Sequence, residues 1–182
     1  MDAWHPGRMR AAQLAEQVPM VRRDTTGAEA ARVIAEYRLS GLVVAGEDGV
    51  PIAVVPGSQI LSVVLPQYVR DEPNLAHAYD EAGADELCGA LNRATLGELL
   101  EAKRLTGTKP PSVLPEDTLI EIASAMDTAR TPVILVVDRE GSFHGVITLS
   151  RVLAAIATAA GQDSPLVRER LARDVLDKGG SS

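Results

Sequence analysis

Aromatic side chains are scarce in this chain. Phe, Trp and Tyr make up 3% of its 182 residues. A core must therefore be filled by Val, Ile, Leu and Ala, and the stacking platforms of single-strand nucleic-acid binders are missing. Positive charge is also in deficit: 18 Lys and Arg stand against 25 Asp and Glu, a formal charge of -7. With no basic stripe, nucleic acid is not an expected partner. Cys88 is the one cysteine, which excludes a disulfide within the chain and fits a reducing compartment. Between Leu87 and Leu91 in "ADELCGALNR" it reads as a small buried thiol and not as a nucleophile. The longest apolar run, "VLAAIATAA" at 152–160, falls well short of the roughly 20 residues of a membrane span. The opening "MDAWHPGRMR" has no apolar segment of the secretory kind. No membrane insertion is expected, and a cytoplasmic location is.

The marks of catalysis are missing as well. His5, His77 and His144 stand in unrelated contexts, and none has a second ligand at metal-binding spacing. His144 reads as an exposed ring at a strand start. "PGSQ" at 56–59 is not a nucleophile elbow, and no glycine-rich phosphate loop occurs. The acidic residues fall in turns and helix starts, where caps and solvated faces explain them. No catalytic residue, metal site or enzyme activity is expected.

What the chain has is a repeat. Residues 21–61 lie over 113–153 at a constant offset of 92 without a gap. Matched pairs include Val21/Val113, Thr26/Thr118, Glu29/Glu121, Arg38/Arg130, Val44/Val136 and Gly49/Gly141. Each copy opens a helix with a T-x-x-E capping box, "TGAE" at 26–29 and "TLIE" at 118–121. Apolar residues then recur at helical spacing: Ala30, Val33, Ile34 and Tyr37 in the first copy, Ile122, Ala125, Met126 and Ala129 in the second. Two apolar runs joined by a charged turn ending in glycine follow, "LVVA-GEDG-VPIAVV" and "VILVV-DREG-SFHGVIT", and predict β-hairpins. Pro51 suits the start of an edge strand. A helix closes each copy, over Ser58–Val64 and from Leu149 to about Ala160. The unit predicted is helix, strand, strand, helix.

The flanks fit around these copies. "AAQLAEQ" (11–17) and "TLGELLEA" (95–102) predict a short helix feeding each unit. "KRLTGTKPPS" before Val113 cannot be helical past Gly107, Pro110 and Pro111. Between the copies Pro66 breaks the chain, Pro73 suits a first helical turn, Leu75–Tyr79 can form a short helix, and the segment should pack across the pair. In the tail Ser164 and Pro165 predict an N-cap and N1 for a surface or dimer-contacting helix that ends at Gly179. The expected boundaries are 9–65 for the first repeat, 66–92 for a helical connection, 93–160 for the second repeat and 163–182 for the C-terminal helix and tail.

"SGLVVAGEDGVPIAVV" (40–55) and "TPVILVVDREGSFHGVITLSRVL" (131–153) resemble a tandem pair of CBS domains, the cystathionine β-synthase type repeat, together called a Bateman module. The resemblance covers roughly residues 9–65 and 93–160. It implies an α+β fold whose two copies are related by a pseudo-twofold axis, strands side by side and helices outside, with two clefts and a homodimer. It also implies a non-catalytic regulatory module that binds AMP, ATP or S-adenosylmethionine and acts on an effector protein, an enzyme or a transporter. Read as a stand-alone module, this chain needs that effector to be another chain.

Carried over by position, the resemblance places a ligand-binding hydroxyl at Thr148, near Ser150, and a ribose-binding carboxylate where the chain has Arg151. The first copy has Pro56 for the threonine, then Ser58, and Gln59 for the carboxylate. Backbone at Gly41 and Leu42, and at Val113 and Ile134, would enclose the base. Both carboxylates are absent: arginine accepts no hydrogen bond, and glutamine accepts through one uncharged oxygen. Three readings stay open. Arg151 at a helix start holds an anion with Thr148 and Ser150; or adenosine is held by base and phosphate contacts alone; or the clefts are vestigial and the module only dimerises or docks a partner. The plain structural alternatives are a solvated Arg151, a Thr148 hydroxyl that caps the helix, and a surface Gln59.

Overall fold

The computed structural model describes residues 9–65, 67–78 and 81–172. The chain divides into two compact units. One is continuous, Met20–Lys109, and holds the first copy. The other joins the segment up to Pro19 with Pro110 onward and holds the second copy.

The continuous unit contains β1 (Met20–Arg22), α2 (Gly27–Tyr37), β2 (Gly41–Ala45), β3 (Pro51–Pro56) and α3 (Gly57–Val64). Then come α4 (Gln67–Asp71), a 3₁₀ turn over Pro73–Ala78, α5 (Glu81–Arg93) and α6 (Leu96–Glu101). The other unit contains α1 (Ala11–Leu14), β4 (Ser112–Val113), α7 (Leu119–Ala129), β5 (Val133–Val137), β6 (Phe143–Thr148), α8 (Leu149–Ala159) and α9 (Pro165–Ala172). Each copy is thus α+β, with a three-stranded sheet in the order β1-β2-β3 or β4-β5-β6. The hairpin pairs are antiparallel, and the leading strand runs parallel to the middle one. That leading strand was not expected from the sequence. Two or three residues are too few to show alternation, and the parallel partner is reached only across a helix.

The repeat extends into backbone detail. Thr26 and Thr118 both accept from the N3 amide of their helix while the glutamate reaches back to the cap amide. α2 and α7 end on the matched arginines Arg38 and Arg130, both left-handed at φ 52° and 48°. Both hairpins slip register at equivalent places, Val44/Ala45 and Val136/Val137. Pro51 begins β3, at the edge of its sheet.

Two cores fill with aliphatic side chains, as the shortage of aromatics requires. Val21, Ala30, Leu42, Val44, Val55 and Ile60 lead the first. Val113, Ile122, Ile134, Val136, Ile147 and Ala155 lead the second. The helices expected to feed each copy pack on the opposite one. Ala11 and Leu14 of α1 sit in the second core, while Leu96 and Leu99 of α6 sit in the first. Thr95, in a third capping box with Glu98, bridges Thr26, and Arg10 bridges Thr118.

α5 packs on α2 and α3 of its own unit. Cys88 is exposed, which corrects the expectation of a buried thiol. Leu91 of α5 belongs to the first core and lies against Gly27, while Cys88 stays at the surface. Ser164 caps α9 through the Val167 amide. His5, Pro66, Tyr79, the Leu87 side chain and the helix end at Gly179 lie outside the described residues.

Candidate functional site

The β6–α8 turn is built by three separate stretches of chain. β6 ends at Thr148, which stands at the N-cap of α8 with extended backbone (φ -89°, ψ 152°). The Leu149 amide donates to the Pro132 carbonyl, tying the turn to the start of β5. The segment after α1 crosses β6 at Val146: Glu16 and Val146 exchange backbone hydrogen bonds of 2.8 and 3.0 Å. Gly145 permits this crossing. Its φ is +135°, and a Cβ there would stand 3.0 Å from the Glu16 carbonyl oxygen.

The crossing delivers the Glu16 carboxylate into the turn. Thr148 Oγ1 donates to Glu16 Oε1 at 2.5 Å. From α9, Arg170 meets the same carboxylate as a fork, Nη1 to Oε2 at 2.9 Å and Nη2 to Oε1 at 2.6 Å. Arg170 Nη2 also donates to Thr148 Oγ1 and Nε donates to Ser150 Oγ at 2.9 Å. Arg151 Nη1 lies 3.5 Å from Glu16 Oε2. The Glu16 side chain is fully buried, Arg151 is 6% exposed and Arg170 23% exposed. An unpaired carboxylate so placed would cost several kcal/mol; two guanidinium groups and a hydroxyl offset that cost.

These contacts change two of the simpler readings. Arg151 is not a solvated residue; it is buried with its charge directed at Glu16. Thr148 occupies the cap position without capping, because its hydroxyl serves Glu16 and Arg170 and not the α8 amides. Glu16 and Arg170 were missed from sequence. They lie 132 and 22 residues from Thr148, and no local spacing links them. The available signal was the repeat itself, since Glu16 shifted by 92 falls on Thr108.

The first copy's turn is closed differently. Pro56 stands at the N-cap of α3 and offers no side-chain cap. Ser58 is exposed, and Gln59, half-buried, accepts the Thr106 amide at 2.6 Å. Thr108 pairs with Val54 as Glu16 does with Val146. Six residues separate Arg10 from Glu16 at these bridges and thirteen separate Thr95 from Thr108, so the extra linker is a seven-residue insertion here. Gly107 allows it to lie close, since a Cβ would stand 3.0 Å from Leu100 and 3.1 Å from Ala53. Gly41 and Leu42 are buried in β2, Val113 in β4 and Ile134 in β5. The side chains of Leu42, Val113 and Ile134 belong to the two cores, so only their backbones could face a ligand.

Among the described residues no group of His, Cys, Asp or Glu could hold a metal ion. His144 is exposed and bonds Asp138 at 2.8 Å; that bond, followed by the Ser142 amide, holds the Asp138 carboxyl below its ordinary value. Among the described residues no helix is long and apolar enough to cross a membrane.

The family model of the CBS domain matches residues 12–66 and 102–158. The chain belongs to the CBS-domain family. Its resemblance to solved structures agrees. A CBS domain-containing protein of unknown function from Kribbella flavida is 37% identical, with 82% of this chain and 99% of that one covered and a TM-score of 0.67. CBSX2 in complex with AMP shares 18% identity over 83% of this chain and 98% of that one, TM-score 0.55. The CBS domain of a bacterial CNNM/CorC family Mg2+ transporter in complex with ATP shares 15% over 87% and 92%, TM-score 0.56. No curated protein matches the chain. The CBS pair seen here therefore has the family's scaffold, with Arg151, Glu16 and Arg170 gathered at its second strand-to-helix turn.

Proposed function

We propose that this CBS pair is a non-catalytic regulatory module that takes an adenosine-type or other anionic ligand at the β6–α8 turn and modulates a partner protein. The observation carrying this reading is the convergence of two guanidinium groups, Arg151 and Arg170, with the hydroxyls of Thr148 and Ser150 at the start of a helix. A helix N-terminus and guanidinium groups favour phosphate and carboxylate. The structures of relatives with AMP and with ATP support the choice of ligand class. The first turn, with Pro56 and an engaged Gln59, is the poorer site.

Thermal unfolding with AMP, ADP, ATP and S-adenosylmethionine at millimolar concentration tests the proposal. A ligand that binds only the native state raises its stability by about 2.7 kcal/mol at a hundredfold excess over Kd. At least one of the four should raise the midpoint. Four unmoved midpoints would remove the nucleotide reading.

A second reading, a ligand-independent interaction subunit, is favoured by another observation. α8 leaves Leu149, Leu153 and Ile156 exposed at 40%, 54% and 40%, beside an apolar groove shared with Ala123 and Met126 of α7. Such a patch is the kind that a second subunit covers.

A further inference from the structure

Each unit has a segment laid across the edge strand that leads into its strand-to-helix turn. In the second, the Glu16 crossing of β6 puts a side chain into the turn. In the first, Thr108 crosses β3, exchanging backbone hydrogen bonds of 3.0 and 3.2 Å with Val54, and the seven-residue insertion lengthens the approach to that crossing. The longer approach is tied down along its course. The Arg104 and Leu105 amides both donate to the Leu99 carbonyl, at 2.9 and 3.1 Å. Leu105 is 2% exposed and belongs to the first core. Arg104 Nη2 donates to the Val63 carbonyl near the end of α3 at 3.0 Å. The Thr106 amide donates to Gln59 Oε1 in the first turn of the same helix at 2.6 Å. Gln59 stands where Arg151 stands in the second copy, 92 positions on. The backbone of the chain itself thus meets the first turn at the position where the second turn gathers charged groups.

We propose that residues 103–108 are a fixed strap standing in for a ligand at the β3–α3 turn, so that the module takes a single nucleotide per chain, at the β6–α8 turn. The count rests on the nucleotide reading above; the strap does not. A ligand donor aimed at Gln59 competes with an amide already in place, whose anchors lie on both sides: Leu105 in the core and Thr108 on β3. Moving the strap aside exposes the leucine and breaks the pairing with Val54, so the open form is rare. The apparent affinity of the turn then falls by the fraction that is open. Pro56, at the position matched to Thr148, adds no hydroxyl in compensation. Gly107 lets the strap lie close to β3, because a side chain there would strike Leu100 and Ala53.

Amide hydrogen exchange resolved by residue, with calorimetric titration of AMP and ATP, tests the strap on the full chain; Gln59→Ala and Arg104→Ala are the variants. In the free wild-type chain the Thr106 and Thr108 amides should exchange roughly a hundredfold more slowly than those of an open chain, a measurement that needs no variant to fold. Gln59→Ala should speed exchange at Thr106 about tenfold or more while β2 and β3 keep their rates, and Arg104→Ala should do so by a smaller factor. Whichever nucleotide binds should titrate at one per chain and leave Thr106 protected. Open-chain exchange at Thr106 in the wild type overturns the strap, as does an unchanged Thr106 rate in Gln59→Ala. A stoichiometry of two per chain, or loss of Thr106 protection at saturating nucleotide, overturns it as well. If neither nucleotide binds while Thr106 is protected and Gln59→Ala releases it, the strap stands and the nucleotide reading alone fails.

Discussion

Gly145 shows how much one residue can decide. Its φ of +135° lets the β6 backbone pass close beneath the segment carrying Glu16, and that passage brings the Glu16 carboxylate to Thr148, Arg151 and Arg170. Alanine there would meet both a disfavoured conformation and the Glu16 carbonyl oxygen at 3.0 Å. Gly145→Ala should therefore cost about 1–3 kcal/mol, read as a lower urea midpoint at unchanged slope. Gly141→Ala is the control: its φ is +87° but nothing lies within 4 Å, so it carries the conformational strain without the collision and should cost less. The same scale marks the limit of reading sites from sequence. Thr148, Ser150 and Arg151 are adjacent and could be picked out together, whereas Glu16 and Arg170 act through a fold that must exist first.

At the scale of elements, three helices begin with the same T-x-x-E device, at Thr26, Thr95 and Thr118. The carboxyls of Glu29, Glu98 and Glu121 are each lowered from 4.5, first by the amide of their own cap threonine and then by its hydroxyl. Lowered values mean that the folded chain binds fewer protons than the unfolded one near pH 4.5. This contribution to stability is full above pH 4.5 and is lost as pH falls through the lowered values. The thermal midpoint should drop below that pH, and the triple variant Glu29→Gln, Glu98→Gln, Glu121→Gln should flatten the drop. An unchanged pH profile in that variant would disprove the assignment. The capping boxes at Thr26 and Thr118, the apolar stripes and the glycine turns were legible in sequence because they are local. β1 and β4 were not, because short parallel strands gain their identity from a partner across a helix. The exchange of α1 and α6 between copies was hidden for a related reason: a stretch such as "AAQLAEQ" states that it will be a helix, not which core it joins.

For the whole molecule, the exposed Leu149, Leu153 and Ile156 bear on self-association. If the pair is a homodimer through α8, Leu153→Asp should convert it to a monomer, measured by light scattering after size-exclusion chromatography. Because Leu153 is 54% exposed within one chain, the fold of each unit should survive, with an unchanged far-UV spectrum. A wild-type chain already monomeric at high micromolar concentration would refute the dimer.

The compact unit that carries the second turn is discontinuous, since Met20–Lys109 is inserted between its two parts. During synthesis from the N-terminus, the inserted unit has all of its own residues available first and can close on itself. Residues 9–19 are made before that inserted unit yet find their partners only after β6 and α8 exist, so Leu14 and Glu16 wait through more than a hundred residues of growth. The turn that gathers Glu16, Arg151 and Arg170 is therefore among the last parts of the chain to take shape, and it completes only when α9 has left the ribosome.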